Sequence, residues 1–247
     1  MKRFSFHRFL PALAALSGVA GYCLRSELYT LADPSGLLPH GHIFHRSAVA
    51  LSILVAILVS LGTLKEKDTL SSAPRSLGDG LLAILAGCCL IPEAYYIYKV
   101  AANPINFLSC VLAFAAIPCL MYVGYCRIRG FHPLVFGNSL VCLFFAFYMV
   151  SKTQLWSAQP QIEQYLFPMF ACITLSLGGY YRAALDANMC KRKPLLFFSL
   201  LALHFCISAL PGNDEPWFYV AGALWALSTI PTIYPPKYTE DSTHVSA

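Results

Sequence analysis

Residues 44–64, FHRSAVALSILVAILVSLGTL, decide how this chain folds. After Arg46 no charged side chain occurs for eighteen positions, and the apolar residues occupy every face of the segment rather than alternate positions. At about 1.5 Å of rise per residue such a helix covers about 30 Å, the depth of a bilayer's hydrocarbon, whereas a barrel strand would alternate in and out over about ten residues. The segment reads as a membrane-crossing helix. Blocks of the same kind recur in both directions along the chain, at 9–29, 44–64, 78–98, 104–126, 132–150, 163–182, 194–210 and 217–234, to within several residues. Pro104, Pro133 and Pro194 stand at or near the first turn of the fourth, fifth and seventh, where a missing N–H costs nothing. The sequence therefore predicts an all-α fold, one polytopic transmembrane helical bundle of about eight spans that takes up residues 1–247.

Composition agrees. Of 247 residues 57% are hydrophobic and only 12% charged, against roughly 25% charged in soluble proteins. Seven of the ten cysteines fall inside apolar blocks and no CxxC pair occurs, so they read as small buried residues at helix contacts and not as a disulfide framework. The net charge of +5 lies mostly in connections rather than in a stripe for nucleic acid. Connections of about a dozen residues at most leave no room for a nucleotide-binding fold, a kinase module or a DNA-binding domain. Walker, GxSxG and HExxH patterns are absent. The seventh block has no lysine, which excludes a retinal Schiff base.

Charge in the connections sets the expected orientation. With the N-terminus in the cytoplasm, thirteen of the seventeen lysines and arginines, Arg127 and Arg182 among them, fall on the cytoplasmic side, and only Arg25, Arg46, Lys99 and Lys152 fall outside. Both termini are then cytoplasmic. Tyr95, Tyr96, Tyr98, Trp156, Tyr165 and Trp217 mark the outer interface, and Tyr122, Tyr125, Tyr180, Tyr181 and Tyr234 the inner one. The basic start and the apolar run from Phe9 to Ala20 resemble a secretory signal, but with seven further spans behind it an uncleaved first helix is expected.

Ionisable groups at membrane depth are costly and point to function by default. Glu93 follows Pro92 about fifteen residues into the third span, about 22 Å from its start, in the outer third. Pro92 frees the carbonyl of Cys88, so a kinked helix beside a carboxylate is expected there, a place for a proton or a cation; the plainer reading is a structural pair or a side chain at the interface. Arg25 reaches a similar depth in the first span and is placed to pair with Glu93, while Glu27 lies nearer the surface. His204, midway along the seventh span, reads as a buried histidine bonded to a neighbouring helix or as a proton relay with Glu93. Asn138 in the fifth reads as a further residue of a site for a small solute or ion or, more plainly, as a hydrogen bond between helices. His40, His42 and His45 form HxHxxH with Asp33 seven residues earlier, which offers a divalent metal up to four ligands, or else places three histidines at the interface. Ala14, Ser17, Gly18 and Gly21 make a small-residue stripe for close helix contact.

Gly21-x-x-Leu24-Arg25, followed by Asp33-x-x-Gly36-Leu37-Leu38-Pro39-x-Gly41, resembles a group of small, uncharacterised multi-span membrane proteins of anaerobic Gram-positive bacteria. The resemblance covers the first quarter of the chain and implies a bacterial cell membrane, with no activity to carry over. From the residues, the leading expectation is a transporter-like or permease-accessory protein whose cluster of Arg25, Glu27, Glu93 and the histidines meets a small solute or ion. The alternatives are a membrane-embedded enzyme acting on lipid at the outer interface, and a structural partner of other membrane subunits. A polar cavity reaching His204 would favour transport. A lateral groove open to lipid beside residues 40–46 would favour an enzyme, and a dry bundle the partner role.

Overall fold

The structure, a computed structural model, describes residues 9–32, 38–39, 41–64, 76–100, 103–156, 162–189 and 191–233. Eight α-helices occur among them: α1 (Leu10–Thr30), α2 (Ile43–Leu64), α3 (Leu77–Val100), α4 (Pro104–Arg129), α5 (Val135–Trp156), α6 (Leu166–Asp186), α7 (Arg192–Ala209) and α8 (Pro216–Ile233). They coincide with the eight apolar blocks. Of these, α2, α3, α4, α5 and α7 are long and apolar enough to cross a membrane. Helix α1 departs from that composition through Arg25 and Glu27, and α6 through Arg182 and Asp186.

Local chemistry sets the helix ends. Asn103 is extended ahead of Pro104, the first residue of α4, and Gly130 closes that helix in the left-handed region at φ 80°, with Phe131 N–H donating to Cys126 O at 2.8 Å. Helix α5 begins at Val135, past Pro133, and α6 runs four residues beyond its expected end. The extension corrects one expectation. Arg127 and Arg182 are not loop cations in water; each is held inside a helix at 2% exposure or less, because two aspartates meet them there. Pro92 does not break α3, which continues to Val100.

Helices α3 to α8 pack in a closed ring, each against its neighbour in sequence and α8 back against α3, while α1 and α2 lie outside the ring against α7. Short connections make ring neighbours antiparallel. Helices α1 and α7 run parallel, so that Ser17 meets His204 and Arg25 meets Ser208. The small-residue stripe of α1 is buried and faces α7, where a Cβ on Gly18 would stand 3.0 Å from that of Ile207 and one on Gly21 would collide with Ser208. Helices α3 and α4 approach closer still, since a Cβ on Gly124 would lie 2.6 Å from the backbone oxygen of Gly80. The ring interior is filled with aromatic side chains. Tyr148 stacks on Phe218 with centroids 3.7 Å apart, and Phe145 lies edge-on to both Phe218 and Trp225.

The outside is apolar too. Leu16, Ile53, Ile57, Leu85, Phe107, Phe114 and Leu143 are each between 45% and 70% exposed along the helix flanks. A belt of that kind is unsuited to water and fits a lipid environment. The protein is an all-α helical bundle of the membrane class.

Candidate functional site

The deepest polar cluster lies where α3 begins and α6 ends. Arg182 Nη2 donates to Asp79 Oδ1 at 2.5 Å, and its Nη1 donates to Ser228 Oγ at 2.5 Å and to Trp225 O at 3.2 Å. Arg127 Nη2 donates to Asp186 Oδ1 at 2.5 Å, its Nε stands 3.5 Å from Asp79 Oδ2, and Asn138 Nδ2 donates to Asp186 Oδ2 at 2.6 Å. Two cations and two anions cancel. The network ties α3, α4, α5, α6 and α8 together, and within it Asn138 makes a hydrogen bond from α5 to α6. Its charges cancel and it joins five helices, which marks it as structural, although Arg127 Nε and Asn138 Oδ1 have no hydrogen-bond partner among the described residues.

At the opposite end of the ring stands a second cluster, of two carboxyl groups and one ammonium. Glu93 is 1% exposed; its Oε2 accepts the Phe218 N–H at 3.2 Å, in the first turn of α8, and its Oε1 has no hydrogen-bond partner among the described residues. Glu215, just ahead of α8, accepts the Tyr148 hydroxyl at 2.5 Å and an ion pair from Lys152. Lys152 also acts on Glu93 at longer range. Two carboxyls thus share one ammonium, and a helix N-terminus adds partial positive charge.

Arg25 is 2% exposed and does not pair with Glu93. Its Nη1 donates to Ser208 O at 2.7 Å, its Nη2 donates to Tyr29 Oη at 3.1 Å and Gln164 O at 3.2 Å, and its guanidinium lies 4.9 Å from the centre of the Phe167 ring. The expected pairing fails for a physical reason. Ser208 belongs to the last turn of α7, whose carbonyls lack partners within the helix and draw a cation, so Arg25 caps α7 and straps it to the turn before α6. Arg25→Ala is expected to lower stability by about 2–3 kcal/mol, the worth of charged hydrogen bonds lost from a buried site, with Arg25→Lys recovering less than half. Thermal unfolding of the purified protein measures both, and an unchanged midpoint for Arg25→Ala would remove the strap.

His204 is fully buried. Its Nδ1 lies 3.0 Å from Ser17 Oγ on α1 and its Nε2 lies 2.9 Å from Ser52 Oγ on α2. A neutral imidazole carries one N–H, so one serine accepts from the ring and the other donates to it. The histidine faces α1 and α2, outside the ring that holds Glu93, and forms no relay with it. Glu27 is exposed, as expected. Asp33 and His40 lie outside the described residues. His42 Nδ1 accepts the Phe44 N–H at 3.3 Å as α2 starts, and the His45 ring stands edge-on to Phe167. Among the described residues no three histidine, cysteine or acidic side chains gather as a metal would require.

Beside these histidines a cleft opens sideways. One part, of about 320 Å³, runs between Val49, Ser52, Ile53 and Ala56 of α2 and Phe170 and Thr174 of α6, over Phe198, Leu201 and Phe205 of α7. It continues at Val49, Ile53 and Leu166 into a mouth of about 540 Å³ lined by Gly41, His45 and Arg46. Residues 49, 52, 53 and 56 share one helix face, which makes the apolar wall continuous. Sequence reasoning singled out residues 40–46 but missed the groove, along with Lys152, Glu215 and the Arg127–Arg182 network. Asp79 carried a signal, an acid near the start of an apolar block; Glu215, in a connection, carried none. The chain matches no known family model, and neither the curated proteins nor the solved structures contain a match to it.

Proposed function

We propose that this chain is a multi-pass protein of a bacterial cell membrane, with both termini cytoplasmic, that takes an amphipathic lipid sideways from the bilayer into the groove between α2 and α6. One observation carries the reading: the bundle's large cleft opens laterally beside His45 and Arg46, while the ring interior is packed with aromatic side chains. That arrangement suits a ligand already dissolved in the membrane better than a polar solute crossing it. Photocrosslinking in native membranes with a phospholipid bearing a reactive group on its acyl chain tests it. Adducts concentrated on residues 49–56 and 166–174 are expected. Adducts spread evenly over outward residues such as Leu85, Phe114 and Leu143 would defeat it. Tags at the two termini, both reporting the cytoplasm, test the orientation.

A second reading, transport of a small solute coupled to a proton or cation, is favoured by the unpartnered Oε1 of Glu93. Proteoliposomes loaded with a pH-sensitive dye separate the two, since only coupled transport produces a flux that Glu93→Gln abolishes.

A further inference from the structure

We infer that the groove between α2 and α6 selects an anionic phospholipid of the surrounding bilayer, holding its phosphate at Arg46 and one acyl chain along α2. The inference rests on the lateral-groove reading and adds the chemical class of the headgroup. Arg46 stands at the mouth, is exposed, and makes no ion pair with any described residue. Gly41 holds it there. This glycine adopts φ +66°, and a Cβ on it would lie 3.2 Å from Arg46 Nη2, so the guanidinium rests against the loop at the head of the groove instead of extending away from it. Helix α2 begins three residues before Arg46, and its N-terminal dipole adds positive potential at the same place. A planar guanidinium meets two phosphate oxygens at once, which a zwitterionic headgroup would answer with an opposing ammonium.

Length supports the same occupant. From Arg46 to Ala56 is ten residues, about 15 Å along a helix, or about half of a 30 Å hydrocarbon core. On the facing wall, Leu166 to Thr174 covers about 12 Å. The apolar floor of Phe198, Leu201 and Phe205 completes a slot as deep as one leaflet. A head anchored at Arg46 therefore leaves its chain ending where the groove ends. The polar groups in the slot, Ser52 and Thr174, are turned to other partners, Ser52 to His204 and Ala48 O and Thr174 to Phe170 O and Ala171 O. The walls present hydrocarbon to the chain.

Native mass spectrometry of the full chain, titrated in detergent with phosphatidylglycerol and with phosphatidylcholine, tests the inference. Wild type is expected to bind phosphatidylglycerol about tenfold more tightly, the scale of one charge-assisted contact. Arg46→Gln is expected to weaken phosphatidylglycerol binding the more and so erase the preference, and Ile53→Trp, which fills the slot from an exposed position, to weaken both lipids alike. Equal binding of the two lipids by wild type, or a preference that survives Arg46→Gln, overturns the headgroup assignment and leaves the groove standing. If Ile53→Trp and Ala56→Phe both leave lipid binding untouched, the groove itself is not the site and both readings fall.

Discussion

Arg182→Ala is expected to lower stability by about 3–5 kcal/mol, the range found when one partner of a buried ion pair is removed. The guanidinium is 1% exposed and joins Asp79, Ser228 and the Trp225 carbonyl while stacking 5.4 Å from the Trp225 ring. Its loss leaves Asp79 facing Arg127 Nε at 3.5 Å and gives the network a net negative charge inside the bundle. Arg182→Lys keeps the charge but not the planar fork that reaches three acceptors, and an intermediate loss is expected. The informative variant is the double one. Arg182→Met with Asp79→Asn removes one cation and one anion, leaves Arg127 and Asp186 as a neutral pair, and is expected to recover most of the loss. Thermal unfolding in detergent reads all three. A single variant within about 0.5 kcal/mol of wild type, the scale of a surface substitution, would show that the cluster does not hold these five helices together.

The contrast with the sequence reading is physical. Apolar blocks were legible because the cost of placing charge in hydrocarbon acts on each residue separately, so helix positions follow from composition alone. The burial of Arg25 and Glu93 was legible for the same reason, from depth along a helix. Their partners were not. Which side chains meet depends on how each helix is rotated and on the ring order, and nothing in one sequence fixes that Arg25 turns to α7 while Glu93 turns to α8. Arg127 and Arg182 were misplaced because an arginine at the end of an apolar block can equally snorkel to water or turn inward. Asp79 and Asp186 turn them inward. The groove was illegible too, since it arises where α2, packed on α1 and α7, stands apart from α6.

The same comparison bears on function. A cluster whose charges cancel, like that of Arg182, has no surplus charge to offer a ligand, and a histidine bonded on both nitrogens, like His204, has no free site at rest. Two groups bear on function: the exposed cation at Arg46, and the carboxyl oxygen at Glu93, which has no hydrogen-bond partner among the described residues. The first stands at the mouth of the lateral cleft and the second is buried among α3, α5 and α8, and this difference is why the lipid reading is preferred to transport.

Lys152→Ala provides the sharpest test of the sealed site, with an expected loss of about 2–4 kcal/mol. The figure sits below the full range for a buried pair because the lysine side chain is 16% exposed and partly screened. Among the described residues Lys152 is the cation that acts on both Glu93 and Glu215, and without it two carboxyls remain with a hydroxyl from Tyr148 and an N–H from Phe218. Adding Glu215→Gln is expected to restore most of the stability, since it removes the negative charge that the lysine had neutralised. Glu93→Gln alone separates the two readings of the site. If Glu93 is a surplus charge held only by packing, its amide leaves Lys152 and Glu215 as a balanced pair and stability rises or stays level. If a proton or cation resides at Oε1 as part of a working cycle, the amide removes that ligand, stability becomes insensitive to the cation supplied, and any coupled flux is lost. A loss of more than about 2 kcal/mol on Glu93→Gln, comparable to breaking a buried charged hydrogen bond, would show that the carboxylate itself holds α3 to α8, and neither surplus charge nor coupling site would then describe it.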